Sequence, residues 1–472
     1  MMTKQHKRAI VIGGGITGLS AAYRLKNEAA KRDIPLNIKI LEASNRIGGV
    51  IKTEHKDGFV IEHGPDAFIS TKPWAKELCE ELGIDQHFIG TNSKVRRSFV
   101  VRNKKLIPVP EGFYMMAPGS FLPFIKTPIF SLKGKLRILL DLFISPKENT
   151  DTESVADFVR RRLGTEAFER MAQPMIGGIY TSDAENLSLK ATFPRFLEME
   201  KEHGSIIKAL IKQKKKASQT TKDTSGPRYS LFLSFTNGMQ TIVDTLANEF
   251  SECIQLNTTV KTIHQNDTDM SWQVVFDDDT TVETDLLCIA LPAPHASCII
   301  KNVFPTIAEK LNDIPYTSST TVNMAFRRVD ITHPLNGMGF VVPIKEQLNL
   351  IGCSFSSVKF ENRAPEDNVL IRAFVGENTS QNIDLKDVVS EAINDVSGLL
   401  GIETDPIFTV VSQHHQSMAQ YLVGHQNIIS DIQASIKNIK GFTLAGNAYT
   451  GIGIPDCIHS GEQAALSLLN SP

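Results

Sequence analysis

Arg8-Ala9-Ile10-Val11-Ile12-Gly13-Gly14-Gly15-Ile16-Thr17-Gly18 joins a short apolar run to an alanine-rich segment, Leu19 to Ala29. The run reads as a buried strand and the later segment as a helix, with Gly13-x-Gly15-x-x-Gly18 turning between them. Each glycine has its own reason. Gly13 permits the tight turn, Gly15 lets backbone approach a pyrophosphate, and Gly18 lets the helix close on the strand. Gly14, Ile16 and Thr17 complete a cradle in which the helix N-terminus offers free N–H groups and the positive end of its dipole to phosphate. Pro35 to Leu41 alternates into a second strand, so the order strand, turn, helix, strand predicts a parallel pair with a right-handed crossover. Glu42 ends that strand 24 residues beyond Gly18, where a carboxylate accepts hydrogen bonds from ribose hydroxyls.

The whole chain of 472 residues is long enough for about three domains on a prior of roughly 150 residues each. Its 41% hydrophobic content excludes wholesale disorder. Fifty Lys+Arg against 52 Asp+Glu argue against a nucleic-acid partner, which favours a basic excess. None of the six cysteines falls at C-x-x-C spacing, which excludes a zinc knuckle or dithiol motif and fits reduced intracellular thiols; no metal site is expected. The basic start, Met1 to Arg8, precedes only four apolar residues before the glycines, too few for a signal peptide. No apolar run is long enough to span a bilayer, so a cytoplasmic protein with at most peripheral membrane contact is expected.

Further along, residues 132–143, 154–171 and 190–212 read as helices, and 108–128 holds five prolines among large apolar residues. The apolar stretch Phe113–Phe130 could dock on a membrane, line a channel or form core; Lys126 and the prolines argue against insertion. Residues 213–229 are basic and Ser/Thr-rich and read as a flexible loop. Short strands and turns then alternate from 231 to 411, interrupted by a helix from Asn237-Gly238 to Phe250 and another at 385–400; Phe442–Leu444 reads as a last strand, and Gly461 to Leu469 as the last helix. Asp277-Asp278-Asp279 reads as a hairpin turn, because calcium-loop spacing is missing. His414 and His415, adjacent on a strand, point to opposite faces and do not make a metal pair.

The continuation Glu42-Ala43-Ser44-Asn45-Arg46-Ile47-Gly48-Gly49-Val50 resembles the extended dinucleotide motif of the amine-oxidase-like FAD superfamily. Gly64-Pro65-Asp66-Ala67 resembles its next flavin-contacting segment, the strand Thr258–Ile263 the one whose Val260 backbone meets adenine, and Leu444 to Asp456 its C-terminal segment. There Gly446, Ile452, Gly453 and Ile454 would meet the ribityl chain and the flavin, although Asn447 stands where an acidic residue is frequent. Within that superfamily Gly178-Ile179-Tyr180-Thr181-Ser182-Asp183, Pro108-Val109-Pro110 and Asn237-Gly238-Met239 resemble the protoporphyrinogen and coproporphyrinogen III oxidases of the soluble Gram-positive type. Where that branch has Arg-Trp, this chain has Gln413-His414, which puts His414 at the flavin in place of Trp.

The resemblance implies an α/β fold. A discontinuous Rossmann-like FAD-binding domain would use 5–66, 230–298 and 426–472. A mixed or antiparallel sheet at 67–111 and 299–425 would bind substrate, and 112–212 would be a helical excursion. It also implies non-covalent FAD and six-electron oxidation of coproporphyrinogen III to coproporphyrin III in haem synthesis. Molecular oxygen would be the acceptor, hydrogen peroxide the by-product, and a ferrochelatase a candidate recipient of product. No catalytic side chain is assigned, since the cofactor carries the redox step. Lys72 and Arg97, at the start of an expected strand, are candidates for the substrate propionates, and Ile179 for its apolar face. Protoporphyrinogen IX oxidation, amine oxidation and a non-catalytic escort role on the same scaffold are the alternatives.

Overall fold

In a computed structural model of the chain, residues 6–148, 152–181, 183–220, 230–266, 268, 270–376 and 384–470 are described. Lys7–Ile12 is a strand buried on both faces: Ala9 and Val11 enter one core cluster, Ile10 and Ile12 another. It is the middle of a five-stranded parallel sheet ordered Ile254–Gln255, Leu36–Leu41, Lys7–Ile12, Leu286–Ile289, Phe442–Leu444. The first core cluster seats the helices Ile16–Lys31 and Ile454–Asn470 against one face of this sheet. Gly461 makes their close approach possible, because a Cβ there would collide with the Thr17 carbonyl oxygen. The antiparallel strands Val260–Gln265, Trp272–Phe276 and Thr281–Thr284 pack with the second cluster.

A second, seven-stranded sheet runs Phe408–Ala419, Tyr316–Arg327, Asn368–Gly376, Leu350–Ser354, Gly339–Val341, Phe99–Arg102, Lys105–Pro108. It is antiparallel except where Gly339–Val341 pairs with Phe99–Arg102, so it is mixed. Val388, Ala392, Val396 and Leu400, one turn apart along Leu385–Leu400, are buried in the core cluster of this sheet.

The third unit is helical and includes Leu132–Leu139, Val155–Arg162, Gln173–Tyr180 and Pro194–His203 around its own core. Arg162 is wholly buried there, its Nε donating to Asp141 at 2.6 Å and its Nη1 to Glu200 at 3.2 Å. Removing one partner of such a group strands the other charge out of water.

Several boundaries differ from the sequence reading. The helix expected over 154–171 breaks after Arg162, because Gly164 sits at φ +93°, and the one over 190–212 breaks at Gly204, φ +67°. The helix Ile206–Thr220 extends into the expected loop: Lys, Gln and Ala sustain it. Residues 221–229 of that loop lie outside the described residues, as do Ser182 and the outermost termini, 1–5 and 471–472. Arg97 does not open a strand; it lies exposed in a loop, and the strand starts at Phe99. The last helix begins at Ile454 rather than near Gly461.

Candidate functional site

Gly13 turns the chain at φ +109°, and a Cβ on Gly18 would strike the Gly13 carbonyl oxygen, so the first helix closes on the turn as its glycines require. Gly15 caps that helix with no side-chain bond, and no acidic residue stands in the first turn. The first turn of the helix therefore carries no side-chain cap and no acidic residue of its own. A Cβ on Gly15 would meet nothing nearer than the Gly49 Cα at 4.0 Å, so open space lies over the turn.

Glu42 enters this turn from the second strand. Its carboxylate accepts from the Gly14 N–H at 2.7 Å and the Ser44 N–H at 2.9 Å. Its carbonyl accepts from the Thr258 N–H at 2.9 Å, which brings the start of the Val260 strand alongside. The Gly48 N–H donates to the Gly14 carbonyl at 2.8 Å, tying the second glycine pair to the first. Arg46 clamps that pair by donating to the carbonyls of Ile47 and Ile51, each at 3.0 Å, and of Gly49. Ala43 and Val50 are exposed on the same loop.

Gly64 packs so tightly on Val50 that a Cβ would overlap its carbonyl. Two residues beyond it, Asp66 binds Lys359 at 2.8 Å; burial opposes its ionisation, but Lys359 and Arg372 hold its pKa below the usual carboxylate value. The His63 carbonyl is a hub that sequence reading missed. It accepts from His414 Nε2 at 2.8 Å, Arg372 at 3.1 Å and Thr321 at 3.3 Å. His414 thus faces inward and His415 outward, with burial and then Arg372 and Arg46 among the causes that shape its lowered pKa. The His63 ring bridges Ser412 at 2.8 Å and Glu54 at 3.0 Å.

The C-terminal segment arrives from the edge strand Phe442–Leu444. Asn447 accepts from Tyr316 Oη at 3.0 Å and donates to the Ser417 carbonyl at 2.9 Å. An ionised carboxylate could make only the first bond, which accounts for an amide where an acid is frequent. Gly446 N–H donates to Ser460 at 3.0 Å, and Ile452 packs against the helical core with Val341.

The three substrate candidates separate. Ile179 is 43% exposed at the end of Gln173–Tyr180, and a Cβ on neighbouring Gly178 would lie 3.8 Å from Val341. Arg97 accepts from the Met338 N–H at 2.7 Å, so it borders the same Gly339–Val341 strand. Lys72 instead donates to both carboxylate oxygens of Asp456, at 2.6 and 2.7 Å, in the first turn of the last helix.

A family model, flavin containing amine oxidoreductase, matches residues 16–469. The chain belongs to the flavin-containing amine oxidoreductase family. Among members of related sequence, the coproporphyrinogen III oxidase of Staphylococcus aureus is 34% identical over 98% of this chain and 99% of that protein. The coproporphyrinogen III oxidase of Bacillus subtilis is 31% identical over 99% of each. A crystal structure from Exiguobacterium sp., provisionally named a protoporphyrinogen oxidase, superposes with TM-score 0.82 at 27% identity and 98% coverage of both chains. This flavin-containing amine oxidoreductase is an FAD-dependent oxidoreductase. The uncapped helix, the open space over Gly15 and Gly49 and the paired loops fit that cofactor. The Gly13–Gly18 turn would hold the diphosphate, Glu42 the ribose, and the start of the last helix the flavin end. Among the described residues no group of three His, Cys, Asp or Glu could hold a metal ion, and no helix is long and apolar enough to cross a membrane.

Proposed function

We propose that this chain oxidises coproporphyrinogen III to coproporphyrin III, with FAD as the electron acceptor and oxygen as the final oxidant. The observation that carries the reading is that Ile452 from the cofactor segment and Val341 from the large sheet both pack on the core of the helical unit, and that Val341 also lies against Gly178, next to exposed Ile179. A flat macrocycle needs such an apolar wall next to the flavin end of the site. Full-length similarity to two coproporphyrinogen III oxidases supports the same substrate class.

FAD supplies a two-electron acceptor, so six electrons require three rounds of oxidation. The protein's part is position and electrostatics. Ile179 contacts the macrocycle, and Arg97, exposed on the neighbouring loop, meets a propionate at the mouth. His414 stays neutral, with its Nε2–H fixed on the His63 carbonyl. Arg372, buried, and Arg46, half-buried, place positive charge near it.

Arg97→Met tests the mouth. A contact remote from the reacting carbons serves ground and transition states alike, so KM for coproporphyrinogen III should rise several-fold with kcat little changed. An unchanged KM removes Arg97 from the site. A ferrochelatase as the recipient of product and a cytoplasmic location belong to the same reading.

A further inference from the structure

Gln420-Tyr421-Leu422-Val423-Gly424-His425 runs from the end of the strand Phe408–Ala419 into the helix His425–Ile436, and all three units of the molecule are bonded to it. Gln420 and Tyr421 are both buried. The Gln420 Nε2 amide donates to the Tyr180 carbonyl at 3.0 Å, to Thr317 Oγ1 at 3.0 Å and to the Met418 carbonyl at 3.2 Å. Tyr180 ends the helix that carries Ile179, and Thr317 and Met418 face each other across paired strands of the large sheet. The amide therefore ties that helix end to the sheet. Its Oε1 is buried and finds no partner among the described residues. An unpaired buried acceptor costs stability, so this amide is not what packing alone would select.

Tyr421 holds the other side. Its Oη donates to the Asn447 carbonyl at 2.6 Å, in the segment that leads to Ile452 and the last helix. Gly424, at φ +95°, turns the chain into the helix that follows, and the His425 ring stacks on Tyr421 and bonds the backbone of Tyr449 and Ala448. The stretch is itself pinned. The Gln420 N–H donates to the Pro315 carbonyl at 2.8 Å, the Ser188 N–H to the Tyr421 carbonyl at 2.8 Å, and the Val423 N–H to the Asn186 carbonyl at 3.0 Å. One neighbour thus fixes the helix end beside Ile179, and the next fixes the cofactor segment.

We propose that Gln420 and Tyr421 are positioning residues that set the gap between the macrocycle wall at Ile179 and the flavin end of the site, a proposal that rests on the porphyrinogen reading of that wall. They act through the backbone of Tyr180 and Asn447. Each round of the oxidation takes a hydride from a macrocycle carbon to the flavin and gives a macrocycle N–H proton to water, two electrons and two hydrogens in all. Hydride transfer is steep in distance, and a misplacement of about 1 Å by a remote substitution costs roughly a hundred-fold.

The test is anaerobic stopped-flow reduction of the bound flavin by coproporphyrinogen III in the full-length, FAD-loaded wild type, Tyr421→Phe and Gln420→Met. Each substitution removes the tie and keeps the bulk of the side chain. At saturating substrate the rate constant for reduction should fall roughly ten-fold or more in each variant, while the half-saturating concentration and the dissociation constant for FAD stay within about two-fold. Dithionite, which needs no wall, should reduce all three flavins at the same rate. Reduction by substrate at the wild-type rate in either variant would overturn the proposal for that residue and leave the porphyrinogen reading intact. Slower dithionite reduction, or a loss of FAD affinity that matches the loss of rate, would overturn it too, by making the residues part of the fold alone. A wild-type flavin left oxidised by coproporphyrinogen III would overturn the porphyrinogen reading and the proposal with it.

Discussion

Glu42 holds two backbone N–H groups at once, those of Gly14 and Ser44, and it ends the strand beside the cofactor turn. A carboxylate has further lone pairs, so those bonds leave room for a ribose hydroxyl. Glu42→Ala should weaken FAD binding by about 1.5–3 kcal/mol, roughly ten- to a hundred-fold, the range for hydrogen bonds to a charged group. Titration of the apoprotein with FAD, followed by flavin fluorescence, measures it; an unchanged dissociation constant would remove Glu42 from the site. Lys72 carries a different expectation from the one its sequence position suggests. Its ammonium is committed to Asp456, whose side chain is only 9% exposed, so Lys72→Met strands a carboxylate. Because Lys72 itself is 43% exposed, solvent screens the pair and the loss should be about 1 kcal/mol or less. Adding Asp456→Asn should recover most of it in thermal melts. A rise in KM with no change in melting temperature would instead return Lys72 to the substrate mouth.

At the level of elements, His425 begins the helix His425–Ile436, is 3% exposed, and stacks on Tyr421 with ring centroids 4.1 Å apart. Burial pushes its pKa down to about 4, against which the backbone bonds near Tyr449 and Ala448 act only partly. Between that value and about 6.5 the unfolded chain binds the extra proton and the folded chain does not. Stability therefore falls as pH drops through this window, by about 2 kcal/mol between pH 7 and pH 5 for this one group. His63, His333 and His414, whose pKa values burial also lowers, act in the same direction. His425→Phe keeps a ring against Tyr421 and removes the titration. Its melting temperature should fall less between pH 7.5 and pH 5 than that of wild type, and an equal fall would show that His425 is not the acid-sensitive group.

Some elements were legible in the sequence because their signals are local. The Gly13–Gly18 turn, the strand ending at Leu41 and the helix Leu385–Leu400 follow from spacing within a few residues. Gly164 and Gly204 also break their helices locally, and weighing them would have found both ends. The His63 carbonyl hub was not legible, because its donors lie at Thr321, Arg372 and His414, hundreds of residues away. The same separation hid the Lys72–Asp456 pair, and with it the destination of that charge.

For the whole molecule, the cofactor sheet draws strands from the start, middle and end of the chain, and Ile452, beyond its last strand, and Val341 of the large sheet both pack on the core of the helical unit. On the proposed function, the cofactor turn around Gly15 and the apolar residues near Ile179 would place a flat, oxidisable substrate next to the flavin. Substrate choice follows from charge. Coproporphyrinogen III carries four propionates, whereas protoporphyrinogen IX has neutral vinyl groups in place of two of them. On the proposed function, a basic residue at the mouth, such as Arg97, would favour the tetra-anion through steering and charge-assisted hydrogen bonds. The decisive measurement is steady-state kinetics of the FAD-loaded protein on both porphyrinogens, followed by porphyrin fluorescence in aerated buffer at fixed low salt. The higher kcat/KM should belong to coproporphyrinogen III; a clear preference for protoporphyrinogen IX, or no turnover of either by flavin-replete protein, would contradict it.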